Sequence, residues 1–144
     1  MMKKTHLIFG ALFFIIAWLY FDIPAELSAF ALIGAMIPDL DLGFMHRKIL
    51  HNLWVLGIMN IGLLLYGLNG VACLVFSLGF ISHLVADSMT VQGISFFWPF
   101  RFMHIEGGIT TGGIIEFILS GFILGIIFVL LYGIDAIINL SGLL

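Results

Sequence analysis

Cysteine is nearly absent: Cys73 is the only one among 144 residues. A disulfide framework and any CxxC redox or zinc-ribbon site are thereby excluded. Charge is almost as scarce, at 9% of residues, with five bases against eight acids. So few bases cannot make the basic face of a nucleic-acid reader, and no nucleic-acid partner is expected. What remains is apolar, with 62% hydrophobic residues and a mean hydropathy of +1.25. Soluble domains carry about 25% charge and about 45–50% apolar residues. A soluble globular domain and a disordered chain are both excluded, and the chain reads as an integral membrane protein whose first partner is the lipid bilayer. Its length fits one domain, residues 1–144.

Five apolar runs are candidate spans: Leu7–Phe21, Leu27–Ile37, Leu53–Leu68, Val71–Val85 and Ile114–Ile138. The third is expected to extend backward as helix through His46–Asn52. The second, between Pro24 and Pro38, is short against the roughly 20 residues that a span needs. Residues 90–113 form the longest connection, apolar enough over Ile94–Phe102 to lie on or re-enter the membrane. The expected fold class is all-α, a polytopic protein of about five transmembrane helices. With five spans, Lys3, Lys4, Arg47, Lys48 and Arg101 all fall on one side. Positive residues stay inside, so the N-terminus is expected in the cytoplasm and the C-terminus outside, in the cell membrane. Reading the N-terminus as a signal peptide would require cleavage after the weak Ala29-Phe30-Ala31 stretch and would remove His6.

The same topology puts His6, His46, His51, His83 and His104 on the basic side, together with Asp39, Asp41, Asp87, Glu106 and Glu116. Asp22, Glu26 and Asp135 stay on the other. His83 and Asp87 are four apart and share a helix face. Asp39 and Asp41 follow Pro38, which ends or kinks its helix. Arg47 and His51 are also four apart, which places a guanidinium beside the cluster. Ionisable groups at membrane depth are costly and usually functional. Imidazole with carboxylate and no thiolate suits zinc, manganese or iron. His6, Asp39, Asp41, His46, His51, His83 and Asp87 are too many donors for one four-coordinate ion and would serve two, the arrangement of phosphoester or amide hydrolysis. Each group also has a plainer reading: His6, His46 and Arg47 as headgroup anchors, Asp39 and Asp41 as caps, His83 with Asp87 as an interhelical polar pair. His104 and Glu106 read as a solvated loop.

The motifs in order are Thr5-His6-Leu7, Ile37-Pro38-Asp39-Leu40-Asp41, His46-Arg47-Lys48-Ile49-Leu50-His51-Asn52, and Ser82-His83 through Asp87 to Thr90 and Gly93, followed by Trp98-Pro99. This order resembles the membrane-bound metal-dependent hydrolase family of bacteria and archaea, whose bacterial namesake is known as a LexA-binding inner-membrane hydrolase. The family pattern reads GH, PDxD, HRxxxH[ST], SHxxxDxxTxxG and Trp-Pro, and the likeness covers residues 5–99. The family is distantly similar to zinc-dependent phospholipase C and P1 nuclease, all-helical enzymes with a His-x-x-x-Asp pair in a multi-zinc site. Three positions depart from the pattern. Thr5 replaces a glycine, Asn52 replaces Ser or Thr, and the stretch from Asp41 to His46 is short, which weakens any expectation of a LexA contact.

The resemblance implies a phospholipase C/P1 nuclease-like helical metal site and phosphoester hydrolysis, and a site at headgroup depth favours a phospholipid or other phosphorylated amphiphile as substrate. His6, Asp39, His51, His83 and Asp87 are the expected ligands of a divalent metal, zinc above manganese or iron, as two ions. Asp41 and His46 are further ligands or proton-transfer groups, and Arg47, with Lys48, takes the phosphate. The rival expectations are a metal-ion transporter and a metal-stapled structural subunit. Transport sites favour the midplane and repeated halves, and neither is visible here.

Overall fold

The computed structural model describes residues 1–40, 50–100 and 103–141, with side chains described as far as residue 133. Among these residues five α-helices follow one another: α1 Lys3–Phe21, α2 Ser28–Met36, α3 Leu53–Leu65, α4 Gly70–Ser88 and α5 Ile114–Ser141. Single 3-10 turns, Ala25–Leu27 and Ile37–Leu40, flank α2. Two-residue strands, β1 Ile94–Ser95 and β2 His104–Ile105, pair antiparallel with Ile94 opposite Ile105.

The helix ends follow local chemistry. Asp22 takes a left-handed φ of 50° and turns the chain at the end of α1. Asn52 accepts from the Val55 N–H at 3.0 Å and Asn69 from the Ala72 N–H at 2.8 Å, so both act as N-caps. The Asn52 cap corrects one expectation. Helix α3 starts at Leu53, so His51 and Asn52 precede it, and the rest of the expected extension, residues 46–49, lies outside the described residues.

Among the described residues three helices are long and apolar enough to cross a membrane: α1, α4 and α5, the last over Ile114–Gly133. The other two expected spans form shorter helices. The nine residues of α2 rise about 14 Å against a hydrocarbon core of about 30 Å. Pro24 and Pro38 bracket it, and the flanking 3-10 turns add only part of the missing length. Helix α3, with 13 residues, ends at the turn where Gly67 takes a φ of 96°. The hairpin of β1 and β2 was not expected in an all-α chain. It joins the helices through the Leu53 N–H, which donates to the Phe96 carbonyl at 2.9 Å, and through Ile94, buried against Leu56, Phe76, Phe80 and Leu84.

Helices α1, α2 and α4 form the tightest unit. Ala31 and Ala35 of α2 are completely buried. A Cβ at Gly34 would run into the Phe76 carbonyl oxygen, and one at Gly79 into the Ala31 carbonyl oxygen. Small residues let helix backbones touch where lipid removes the hydrophobic drive between helices. Asn60 and Ser77 then join α3 to α4, with Asn60 Nδ2 donating to Ser77 Oγ at 2.9 Å. Helix α5 packs on α1 through Ile123, which clusters with Phe9 and Ala86. Its outer face, including Ile118, Phe122 and Val129, is open.

The α2–α4 contact yields a paired prediction. Gly79→Ala should cost about 1–3 kcal/mol of stability in detergent, because backbone must move to admit the methyl group. Gly121→Ala, where an added Cβ meets nothing within 4 Å, should stay within about 0.5 kcal/mol of wild type. Equal effects at the two sites would show that this backbone approach does not hold the helices together.

Candidate metal centre

Successive helices run in alternating directions, so one end of the bundle collects the start of α1, the end of α2, the approach to α3 and the end of α4. Each brings a polar group: His6 from α1, Asp39 from the turn after α2, His51 from just before α3, and His83 with Asp87 from α4. His6, His51 and His83 have no exposed surface, Asp87 is 1% exposed, and the Asp39 side chain is 14% exposed.

The donor atoms converge. His83 Nε2 lies 3.1 Å from His51 Nε2, 3.6 Å from Asp87 Oδ2 and 3.8 Å from Asp39 Oδ1. His51 Nε2 lies 3.4 Å from Asp87 Oδ2, and His6 Nε2 lies 3.4 Å from Asp87 Oδ1. The His6 ring stacks on His83, centroids 3.6 Å apart and planes 12° apart. Ligand atoms held at about 2.0–2.2 Å by a tetrahedral zinc stand roughly 3.3–3.6 Å from one another. The observed separations straddle that range. Two donor groups overlap at His83: His6–His83–Asp87 and Asp39–His51–His83, each with its ligand atoms within 4.8 Å of one another.

The hydrogen bonds indicate what the cluster can hold. His83 Nδ1 sits 2.7 Å from the Ala35 carbonyl oxygen, which can only accept. The ring proton is therefore on Nδ1, and in the neutral ring Nε2 keeps a lone pair aimed into the cluster, the usual arrangement of a metal-binding histidine. Among the described residues, neither ring nitrogen of His6 has a hydrogen-bond partner, although the ring is fully buried. Buried polar atoms are rarely left this way, and a cation beside Asp87 would satisfy His6. The terminal ammonium of Met1 reaches Asp87 Oδ1 at 2.5 Å, so this carboxylate already draws positive charge. The donor set, nitrogen and oxygen without sulfur, fits zinc, manganese or iron.

Of the expected site residues, His6, Asp39, His51, His83 and Asp87 come together. Asp41, His46, Arg47 and Lys48 lie outside the described residues. His104 and Glu106 are exposed on the hairpin, 3.7 Å apart. Glu116, which the sequence places on or beside the last loop of the basic side, is fully buried. It accepts from the Met2 N–H at 2.6 Å, Thr5 Oγ1 at 2.7 Å and the Gly112 N–H at 2.6 Å. Its signal in the sequence is faint: an acid three residues after Gly112-Gly113, inside the most apolar run of the chain.

Burial, and then neighbouring His83, push the His51 imidazole below the ordinary histidine range, against the opposing pull of Asp87. The ring stays neutral, and able to bind metal, to lower pH than a free histidine. An unfolded His51 takes its proton near pH 6.5 while the folded one resists it. Stability of the metal-free protein should therefore be full above that pH and decline as pH falls from there toward the lowered value. Melting curves between pH 7.5 and 5 should show the decline in wild type and a shallower one in His51→Phe. Identical slopes would contradict the assignment.

A family model described as the YdjM inner membrane protein matches residues 1–142. No curated protein matches the chain, and no solved structure does. The match runs from the first turn of α1 to the end of α5 and so takes in every helix that feeds the polar cluster. The chain belongs to the YdjM inner membrane protein family.

Proposed function

We propose that this protein is a membrane-embedded, metal-dependent hydrolase of phosphoester bonds in an amphiphilic, phospholipid-like substrate. The observation that carries the reading is the buried convergence of His6, His51, His83 and Asp87, with Asp39 at the edge. A structural polar pair would need no more than His83 and Asp87. Here three imidazoles drawn from three separate segments surround one carboxylate.

In this reading the five residues hold divalent metal, zinc by preference, and the two overlapping donor groups support a pair of ions. When bound, the metal activates water and polarises a phosphoryl oxygen. The protein's share is positional. The Ala35 carbonyl keeps His83 in the required tautomer, and Asp87 lies between the Nε2 atoms of His6 and His51. Asp39 is the most exposed of the five and marks the side from which substrate enters. Asp41 and His46, next along the chain, are assigned ligation or proton transfer, and Arg47 with Lys48 the substrate phosphate. The likeness to phospholipase C and P1 nuclease belongs to the same proposal.

All five elements are proposed to act as spans, α2 and α3 with local thinning of the bilayer. Exposed Lys3 and Lys4 lie at the cluster end. With the sequence positions of Arg47, Lys48 and Arg101, the positive-inside rule supports a cytoplasmic N-terminus and an outer C-terminus. A substrate reaching the site there would enter from the headgroup layer.

The test is turnover. Reconstituted wild type, loaded with zinc or manganese, should hydrolyse a member of a panel of phosphomonoesters, phosphodiesters and phospholipids. A chelator, Asp87→Asn and His83→Ala should each abolish that activity, and both variants should lose metal. Full metal occupancy with no turnover on any class would contradict the hydrolase and favour a structural or transport role.

A further inference from the structure

We infer that Glu116 is a positioning residue for the metal centre: its buried carboxylate, locked between the first turns of α1 and α5, sets where His6 stands. The inference rests on the metal-binding reading above. Three donors converge on Glu116. Oε1 takes the Met2 N–H and the Thr5 hydroxyl, and Oε2 takes the Gly112 N–H. Met2 is the N-cap residue of α1, and no side chain of its own helix caps that end. Gly112 lies just before α5, so the carboxylate sits at two helix N-termini at once, where negative charge is favoured.

His6 depends on this grip more than the other histidines do. His83 is anchored by the Ala35 carbonyl, and His51 stands next to the Asn52 cap of α3. Among the described residues neither ring nitrogen of His6 makes a hydrogen bond, and the ring is held by its stack on His83, the 3.4 Å contact of Nε2 with Asp87 Oδ1 and its place on the helix. Its position is therefore that of the first turn of α1, and Glu116 binds that turn on both sides, at Met2 and at Thr5. Packing alone does not call for a carboxylate there. Phe9, Ile123, Leu119 and Ile127 already join α1 to α5 with apolar surface, and burying a carboxylate is costly. Thr5 supplies the hydroxyl that meets it.

Cobalt(II) binding to the detergent-solubilised full chain tests this, because affinity and the visible absorption of the ion both report its ligands. Glu116→Gln keeps one acceptor oxygen but faces the Gly112 N–H with an amide. It should weaken cobalt binding about 10–100-fold, as loss of a ligand-orienting partner does, and alter the absorption bands. His6→Ala added to Glu116→Gln should cost little more, whereas His51→Ala added to it should cost its full amount. Thr5→Val should repeat a weaker form of the defect and Thr5→Ser should restore binding. This pair keeps the inference testable if Glu116→Gln fails to fold. A lowered melting temperature with unchanged cobalt affinity and spectrum would overturn the inference, as would additive costs for Glu116→Gln and His6→Ala. Wild type that binds no cobalt, zinc or manganese would overturn the metal reading itself, and this inference with it.

Discussion

The architecture turns on a carboxylate placed where membrane proteins seldom place one. Asp87 lies at the end of a membrane-length helix with 1% of its surface exposed. A charge in such a place is tolerated only with compensation. The chain provides it from several directions: His6 and the Met1 ammonium on one carboxylate oxygen, His51 and His83 on the other. Helices of unequal length and a segment before α3 must all end at the same level for those groups to meet. The bundle's polar end is organised around that requirement.

Packing and chemistry are linked through α2. The backbones of α2 and α4 touch because Gly34 and Gly79 present no side chains where they cross. One helical turn further along, the same closeness brings the Ala35 carbonyl to 2.7 Å from His83 Nδ1. That contact selects the tautomer whose Nε2 faces the cluster. A side chain at either glycine would therefore disturb more than helix packing. It would withdraw the acceptor that fixes the proton on His83, and with it the ring's ability to act as a ligand.

Much of this was legible in the amino-acid sequence. The long apolar runs of α1, α4 and α5 stand out, and the His83–Asp87 spacing gives a helix face directly. Topology alone placed His6, Asp39, His51, His83 and Asp87 at one end. Three things were not legible, for physical reasons. The length of α3 depends on Asn52 taking the cap, and a cap is a choice between neighbouring turns that apolar periodicity does not register. The β1–β2 hairpin is hidden because its strands are only two residues long, Ile94–Ser95 and His104–Ile105, too short for any alternation to mark them. Glu116 reads as an interfacial acid because its partners, Met2, Thr5 and Gly112, include two backbone amides, and backbone donors leave no trace in residue type.

The central claim is that the three imidazoles and the Asp87 carboxylate form a metal centre and not merely a buried polar junction. X-ray absorption at the metal edge, on protein purified without added chelator and refilled with zinc, tests it most directly. The account predicts at least one equivalent of zinc in a shell of nitrogen and oxygen with imidazole scattering and no sulfur, and a reduced imidazole contribution in His83→Ala. Zinc below stoichiometry, or a shell unchanged in His83→Ala, would contradict it.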